Sequence, residues 1–392
     1  MANLLVMQSG GSTPVLNRSL HGVVREAEDS GAFGRILGAR HAIDGVLERR
    51  LVDLGRYGGT WWRRVDGTPG GVLGSSRRKV RDEDVPAILS VLRENDVGYW
   101  LTIGGNDSAE TAHRVATEAS AAGRELTVIN VPKTIDNDLV LTDHTPGYGS
   151  AARFVALAVM GAGRDAETMG RAAPVTIIEV MGRDAGWLAA SAALAKREER
   201  DGPHLVCVPE VAIDVERFLD GVEDAYGRFG FAVAVVAENA RGPDGPLNAR
   251  QPPSHVDDFG HAYYEGPARY LAAQAEKRLG VRVRAEKPGT IQRSMAACVS
   301  STDSAEAEMA GRAAVRYALD GATDKMVTLV RGDGDEYACT TGLAPLAEVA
   351  GKVRPMPSGY LDPTSYGVTA DFIRYARPLI GAPLPRFERL SE

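Results

Sequence analysis

The chain has 392 residues and is 44% hydrophobic and 25% charged, with a formal net charge of −7. A chain of this length can bury large cores and is expected to form two domains, and its acidic balance argues against a general nucleic-acid binder. The cysteines Cys207, Cys298 and Cys339 are widely spaced without a CxxC pair, so the sequence predicts neither a disulfide framework nor a zinc site.

Neither a targeting segment nor a membrane segment is predicted. Residues 1–8 lack a basic stretch followed by a long apolar core, and no uncharged apolar stretch of the chain approaches membrane-spanning length. We therefore expect a cytoplasmic protein with no membrane partner.

Apolar runs of strand length alternate with helical patterns along the chain, which is typical of an α/β fold. Strands are predicted at residues 3–8, 97–103, 126–131, 175–180, 205–208, 231–236 and 326–330. Helices with apolar residues at three- and four-residue spacing are predicted at residues 151–163, 187–198 and 263–279. This alternation predicts mainly parallel sheets flanked by helices.

Glycine-rich turns follow two of the predicted strands. Gly10 and Gly11 lead from the first strand into a helix that carries Asn17, and residues 104–108, GGNDS, lead into a helix that begins near Ser108. Glycine permits close backbone approach and a helix amino end offers unpaired N–H groups, so each turn could hold a phosphate. A single Gly-Gly turn is more often only a tight connection.

Residues 132–138, PKTIDND, place one cation and two carboxylates in a single turn directly after a strand. In open α/β sheets the ligand site lies at the carboxyl edge of the strands. One carboxylate could accept a proton from an alcohol, the other could hold a metal, and the ammonium could meet phosphate oxygens. A capped polar turn is the alternative for this run alone, but three such strand ends together favour phosphoryl transfer.

These runs, with residues 181–186 (MGRDAG) and 289–293 (GTIQR), resemble the phosphofructokinase family over most of the chain. The pairing of KTIDND with GGNDS is the most specific element of the resemblance. ATP-using members usually have glycine at the positions of Asp107 and Lys133, whereas the pyrophosphate-using branch looks like this chain. The resemblance implies Mg²⁺-dependent, reversible transfer of phosphate from pyrophosphate to the 1-hydroxyl of fructose 6-phosphate.

The charges at positions 107 and 133 give this donor preference a physical basis. A carboxylate at Asp107 would crowd and repel the α-phosphate of a nucleotide, while Lys133 could supply positive charge to a compact diphosphate. Alternatively, the two side chains form a local ion pair, which is compatible with the same exclusion.

The resemblance also implies two similar Rossmann-like lobes that exchange chain segments. The lobe that binds the phosphoryl donor is expected at residues 1–150 plus about 289–345, and the sugar-phosphate lobe at residues 151–288 plus about 346–392. Active sites in this family lie between the lobes and often borrow residues from a neighbouring subunit. A homodimer or homotetramer is therefore implied.

Asp136 is assigned as the base that accepts the proton of the sugar hydroxyl. Thr134 could bind the transferring phosphoryl group or the sugar, or simply cap the turn. Asp138 is expected to hold Mg²⁺ through water, and Asp107 could share that metal. Asn106 occupies a position that is usually acidic in ATP-using relatives, so the metal shell has changed there.

Cations and glycines complete the predicted donor site. Gly10 and Gly11 should lie against the diphosphate, and Arg77 is expected to bind its distal end. Lys79 is considered for the same role, although a solvated basic surface is a serious alternative for it.

The sugar site is predicted to include residues from the second lobe. Met181 and Gly182 would let the sugar approach, and the guanidinium of Arg183 could bind charge on the transferring phosphoryl group or a sugar hydroxyl, unless Arg183 forms an ion pair with Asp184 or Glu179.

Three further positions of that site are assigned by resemblance. Glu238 resembles the family glutamate that accepts sugar hydroxyls, and Arg284 and Arg293 resemble the arginines that bind the 6-phosphate, one of them contributed by a partner subunit. Thr290 and Pro174 depart from the family pattern, so the sugar is less firmly predicted than the donor. The Gly/Pro-rich stretch at residues 241–254 is predicted to be an exposed loop, or alternatively a lid over the sugar pocket.

Alternatives remain for the substrates and for the activity. The same fold could use ATP as donor or sedoheptulose 7-phosphate as acceptor, and a sugar-phosphate-binding regulator without turnover is a third possibility. The presence of Asp136 argues against the regulator. No histidine is assigned a role, and His144 is expected to be structural.

Overall fold

The computed structural model describes residues 1–247, 255–256, 262–263 and 266–390. The chain divides into two compact units, each made of two chain segments. The first unit contains Met1–Ser150 and Arg293–Arg354, and the second contains Ala151–Gln292 and Pro355–Glu392.

The first unit is built on a seven-stranded sheet. Its strands, from one edge to the other, are Cys339–Pro345, Lys325–Arg331, Thr127–Pro132, Val97–Gly104, Asn3–Gln8, Ile36–Ala39 and Leu51–Asp53. The five inner strands run parallel, and the two edge strands are antiparallel to their neighbours. The inner strands read as buried apolar runs because helices cover both faces of the sheet.

Helices of the first unit are Leu16–Ser30, Ala42–Leu47, Gly59–Asp66, Val85–Glu94, Asn106–Ala121, Ser301–Leu319 and Leu346–Val349. Helices Leu16–Ser30 and Ser301–Leu319 pack closely against each other. A Cβ at Gly22 would meet the Glu308 carbonyl, and a Cβ at Gly311 would meet the Ser19 carbonyl. The segment that returns at Arg293 is thereby packed against the amino-terminal helix.

The second unit contains a four-stranded parallel sheet in the order Val283–Glu286, Val175–Val180, Ala232–Ala237 and Leu205–Cys207. Its helices are Trp187–Ala190, Val215–Phe229, Pro267–Leu279 and Ala370–Ala376, and the helix Tyr148–Met169 enters it from the first unit. Three short antiparallel pairs join Arg241–Gly242 with Gly245–Pro246, His255–Val256 with Ala262–Tyr263, and Leu361–Asp362 with Gly367–Val368.

Short 3₁₀ segments connect these elements. They are Leu54–Arg56, Asp82–Asp84, Gly170–Ala172, Ser191–Ala195, Gly289–Arg293, Ala296–Cys298, Ser358–Tyr360 and Arg377–Ile380.

The predicted α/β class, with mainly parallel sheets flanked by helices, is confirmed. The predicted helix at 187–198 is wrong, since the α-helix ends at Ala190 and a 3₁₀ segment follows. The Ser191 hydroxyl donates to the Leu188 carbonyl at 2.6 Å, and the Asp201 carboxylate accepts the backbone N–H groups of Arg197 and Glu198 at 3.1 and 3.0 Å. These local bonds compete with continued α-helix.

Three other helices differ from the prediction in their bounds. The helix expected at residues 151–163 spans Tyr148–Met169. The helix expected at residue 263 begins at Pro267, because proline at the first helical position lacks only an N–H that would have no helical partner. The helix expected near Ser108 begins at Asn106. The predicted loop or lid at 241–254 falls partly outside the described residues, which end at residue 247 before resuming at 255. Every helix in the described ranges is too short or too polar to cross a membrane.

Candidate active site

Three strand ends of the first unit meet at one edge of its sheet. Strand Val97–Gly104 lies between Asn3–Gln8 and Thr127–Pro132, with Gln8 opposite Ile103 and Gly104 opposite Pro132. Because all three strands are parallel, the turns that follow them start side by side at the carboxyl edge. The glycine turns and the PKTIDND run are therefore brought together.

A buried ammonium lies in the first glycine turn. The Lys133 Nζ donates to the Gly11 carbonyl oxygen at 2.7 Å, and the side chain is only 3% exposed. Gly10 has a φ of +78°, and a Cβ at this position would lie 3.2 Å from the same Nζ. The turn thus needs glycine both for its left-handed backbone and for the space that Lys133 occupies.

The second glycine turn packs against the backbone of Lys133. The Lys133 N–H donates to the Gly104 carbonyl at 3.2 Å, and a Cβ at Gly105 would lie 3.3 Å from the Lys133 carbonyl oxygen. Helix Asn106–Ala121 begins here, with the exposed Asp107 in its first turn. A carboxylate at a helix amino end is favoured by the helix dipole.

Local hydrogen bonds hold the turn that carries Asp136. The Asp136 N–H donates to the Thr134 hydroxyl at 3.0 Å, so Thr134 does cap the turn. The Thr145 hydroxyl donates to the Thr134 carbonyl at 2.8 Å, and the Thr145 N–H donates to Asn137 Oδ1 at 3.0 Å. Asp136 is half-buried between these anchored residues.

The neighbouring acidic residue Asp138 is buried, with 5% exposure. Its Oδ2 accepts a hydrogen bond from Asn106 Nδ2 at 3.2 Å. Asn106 Oδ1 is also buried, and it has no hydrogen-bond partner among the described residues. A carboxylate beside an orphaned amide oxygen, with Asp107 next along the helix, is an all-oxygen ligand set that fits Mg²⁺.

Arg77 follows a segment that is bonded to the first glycine turn. The Gly10 N–H donates to the Ser76 carbonyl at 3.2 Å, and the Ser75 hydroxyl donates to the Gly10 carbonyl at 2.6 Å. Arg77 and Lys79 themselves are exposed, whereas Arg78 pairs with Asp84 at 2.6 Å.

Arg293 also lies at the first glycine turn. A Cβ at Gly11 would be 2.7 Å from Arg293 NH1. The structure therefore places this guanidinium, which the sequence assigns to the sugar 6-phosphate, beside the turn predicted to hold the diphosphate.

In the second unit, the turn after strand Val175–Val180 holds three of the predicted sugar-site residues. Gly182 and Arg183 both have positive φ, +132° and +53°. The Arg183 N–H donates to Glu238 Oε1 at 3.1 Å, and Val180 lies opposite Ala237 in the sheet. Met181, Gly182, Arg183 and Glu238 are thus brought together. Glu238 holds the backbone of the turn, which is a contact that the sequence did not indicate.

Buried side chains support this turn from two sides. The Met181 N–H donates to Gln292 Oε1 at 3.1 Å, and Gln292 Nε2 donates to the Gly289 carbonyl at 2.9 Å. Glu210 Oε1 accepts the Gly186 N–H at 2.9 Å. Gln292 lies in a predicted motif but had no assigned role, and Glu210 carries no recognisable sequence signal.

Arg284 is not brought to the turn at Met181. It lies opposite Thr176 in the sheet, five residues before Met181, which corresponds to roughly 16 Å along a strand. Its guanidinium pairs with Asp165. Within one subunit, Arg284 therefore lies near the opposite end of the strand from Arg183.

The buried Asp303 is a further residue that the sequence analysis missed. Its carboxylate accepts the backbone N–H groups of Gly147 and Ser150 at 2.7 and 2.9 Å, which caps the start of helix Tyr148–Met169. Burial raises the pKa of Asp303 to about 6 despite these bonds. Ser300 followed three residues later by Asp303 is a capping pattern that could have identified it.

Comparisons with known proteins agree on one family. The family model described as "Phosphofructokinase" matches residues 3–318. The chain is 38% identical over 395 residues to pyrophosphate–fructose 6-phosphate 1-phosphotransferase from Rhodospirillum rubrum, covering 99% of this chain and 96% of that protein. It is 39% identical over 389 residues to the protein of the same name from Xanthomonas campestris, covering 98% and 92%.

Among solved structures, the chain is similar to the crystal structure of pyrophosphate-dependent phosphofructokinase from Nitrosospira multiformis. The TM-score is 0.89 at 33% sequence identity, and the match covers 99% of this chain and 94% of the other.

Proposed function

Since the chain belongs to the phosphofructokinase family, we propose that it is a phosphotransferase that moves a phosphoryl group from pyrophosphate to the 1-hydroxyl of fructose 6-phosphate. The products are fructose 1,6-bisphosphate and phosphate, and the reaction is reversible. The observation that carries this proposal is the buried Lys133 ammonium in the Gly10–Gly11 turn, 2.7 Å from the Gly11 carbonyl.

The first unit supplies the donor site. Gly10 and Gly11 let the diphosphate approach the backbone, Lys133 contributes positive charge, and Arg77 reaches its distal end. Asp107 lies in the first turn of helix Asn106–Ala121, and its charge would oppose the α-phosphate of a nucleotide. The chemistry requires that these charges be fixed before the reaction.

Proton transfer is assigned to Asp136. Its carboxylate takes the proton of the sugar hydroxyl as that oxygen attacks phosphorus, and Thr134 fixes the backbone of Asp136 through its hydroxyl. Asp138, Asn106 and Asp107 would hold Mg²⁺, in part through water. When bound, Mg²⁺ neutralises charge on the diphosphate oxygens.

The second unit supplies the acceptor site. Met181 and Gly182 admit the sugar, Glu238 accepts its hydroxyl groups, and the Arg183 guanidinium stabilises charge that develops on the transferring group. Arg284 and Arg293 are the arginines assigned to the 6-phosphate, although Arg293 belongs to the first unit and its guanidinium lies at the Gly11 turn. The position of Arg284, roughly 16 Å along the strand from Met181, supports its use by a partner subunit and hence a homodimer or homotetramer.

A donor assay tests the function. The purified protein is mixed with Mg²⁺, fructose 6-phosphate and either pyrophosphate or ATP, and fructose 1,6-bisphosphate is measured. We expect product with pyrophosphate and none with ATP or with a chelator present. Product with ATP alone would overturn the donor assignment, and a higher kcat/KM for sedoheptulose 7-phosphate would overturn the acceptor.

A further inference from the structure

We infer that Arg354 is a positioning residue for the turn that carries Asp136 and Asp138, an inference that rests on the function proposed above. The Arg354 N–H donates to the Asp138 carbonyl at 2.7 Å, and its NH2 group donates to the Asn137 carbonyl at 2.8 Å. Two successive carbonyl groups of the turn are therefore held by one distant residue.

The same guanidinium also holds the continuation of this turn. Arg354 NH1 donates to the carbonyl oxygens of Thr142 and Asp143 at 2.8 and 2.6 Å. Residues 136–147 contain no α-helix and no strand, so their carbonyl groups need partners outside regular secondary structure. A guanidinium offers five N–H donors in one plane and no acceptor, which suits a cluster of converging carbonyls.

The backbone between the two acidic residues is left-handed. Asn137 has a φ of +56°, a region that Asn adopts more readily than other residues with a Cβ. Its side chain is fixed by Thr145 at 3.0 Å, and its carbonyl is fixed by Arg354. Without the guanidinium, the peptide that joins Asn137 to Asp138 would lose the hydrogen bond at its carbonyl oxygen.

The turn sets the directions of both carboxylates. Asp136 must reach the attacking hydroxyl, and Asp138 lies on the other side of Asn137 with the metal ligands. A displacement of about 1 Å at a reacting group can cost about a hundredfold in rate. Loss of Arg354 should therefore lower kcat, while KM for fructose 6-phosphate, which depends on residues such as Arg183 and Glu238, should stay near its wild-type value.

The test compares Arg354→Met with a matched control, Arg124→Met. Arg124 is also half-buried in the first unit, and it donates to the Leu89 and Val97 carbonyls at 2.5 and 3.0 Å, away from the turn. Both variants lose an arginine that binds backbone carbonyls. We expect both to lower the thermal midpoint, and only Arg354→Met to lower kcat, by about a hundredfold.

Two measurements separate positioning from general destabilisation. Amide hydrogen exchange at residues 137–143 should accelerate in Arg354→Met and remain unchanged in Arg124→Met. Arg354→Lys keeps the charge, but its three N–H donors lie on one nitrogen and cannot reproduce bonds that Arg354 makes from two separate nitrogens. It should fold if Arg354→Met does not and should still lose kcat. Wild-type kcat in Arg354→Lys, or an equal loss of kcat in Arg124→Met, would overturn the inference.

Activity of the wild-type enzyme and hydrogen exchange in the Arg354 variants test separate claims. A wild-type enzyme without pyrophosphate-dependent activity would refute the function. Unchanged exchange at residues 137–143 in both Arg354 variants would refute the positioning role, whatever substrates the enzyme uses.

Discussion

The ε-ammonium of Lys133 and the carbonyl oxygen of Gly11 lie 2.7 Å apart, although 122 residues separate them in the chain. The same ammonium lies 3.2 Å from the point that a Cβ at Gly10 would occupy. The glycine turn and the lysine therefore share one small space. A side chain in that turn must disturb the cation, and this makes the turn sensitive to the smallest substitution.

Gly10→Ala should raise KM for pyrophosphate with little change in KM for fructose 6-phosphate. The added methyl would press on Lys133 Nζ, and alanine at a φ of +78° is strained by about 1–2 kcal/mol. Steady-state kinetics with each substrate varied in turn would measure the effect.

Gly123→Ala is the matched control for this experiment. Gly123 also has a positive φ, +66°, but a Cβ there would meet nothing within 4 Å. It should lower stability by a similar amount and leave both KM values unchanged. If Gly123→Ala raised KM for pyrophosphate as much as Gly10→Ala does, backbone strain alone would account for the effect at Gly10.

Replacing Asp107 and Lys133, the two side chains proposed to select the donor, should change the donor preference. Asp107→Gly combined with Lys133→Gly removes the carboxylate that opposes a nucleotide and the cation that serves the diphosphate. We expect lower kcat/KM with pyrophosphate and measurable turnover with ATP. An unchanged ratio of the two activities would show that neither charge selects the donor.

Asp136→Asn should nearly abolish turnover while fructose 6-phosphate still binds. The amide cannot accept the hydroxyl proton, whereas the arginines assigned to the sugar phosphate are untouched. Product formation and sugar-phosphate binding by calorimetry should therefore separate. A variant with wild-type kcat would exclude Asp136 as the base.

His144 should make stability depend on pH above 6.5. Its ring nitrogens lie 2.8 Å from the Asp143 carboxylate and 2.7 Å from the Glu306 carboxylate. Burial opposes the charged ring, but hydrogen bonds to the two carboxylates outweigh it and raise the pKa of His144 above its usual 6.5. The charged ring therefore stabilises the fold fully below pH 6.5, and this contribution is lost as pH rises through the raised pKa.

Thermal midpoints in a rising pH series would measure this contribution. His144→Asn should cost most at the acid end of the series, and the difference from wild type should shrink as pH rises. Glu306→Gln removes one of the two carboxylates and should weaken the dependence. A difference that grows with pH would contradict the assigned direction.

Local sequence signals were sufficient to predict that the three strand-end turns of the first unit lie at one edge of its sheet. Strand Asn3–Gln8 was predicted with its observed bounds, because it is a short apolar run with a glycine turn directly after it. The turns at Gly10, Gly104 and Lys133 then had to meet, since parallel neighbouring strands share a carboxyl edge.

Contacts between distant parts of the chain were not predictable. Arg354 binds Asn137 across 217 residues, and nothing in its neighbourhood marks it as different from other polar residues near a helix end.

The alanine-rich stretch after Trp187 has high helix propensity, but side-chain bonds from Ser191 and Asp201 end the helix early. Strands such as Ile36–Ala39 and Val283–Glu286 have only four residues, which is too short for a clear periodic pattern.

Arg284 should act on the active site of a neighbouring subunit. Its register opposite Thr176 keeps Arg284 roughly 16 Å along the strand from Met181 of its own chain. Arg284 and the turn at Met181 could therefore bind the same sugar phosphate only if different subunits supplied them. Arg284→Ala and Arg183→Ala should each be nearly inactive alone, because one lacks a phosphate ligand and the other lacks charge stabilisation.

Mixing the two variants tests this directly. If the subunits exchange after mild dissociation and reassembly, a hybrid contains some sites with both arginines intact and regains activity that neither parent has. In a dimer with two equivalent sites, one site of each hybrid would carry both substitutions and the other neither. Arg284→Ala mixed with an Arg284→Ala, Arg183→Ala double variant should recover nothing, because every site then lacks Arg284. Absence of recovery in the first mixture, with hybrid formation verified by differently tagged chains, would place Arg284 in its own subunit's site or outside the site altogether.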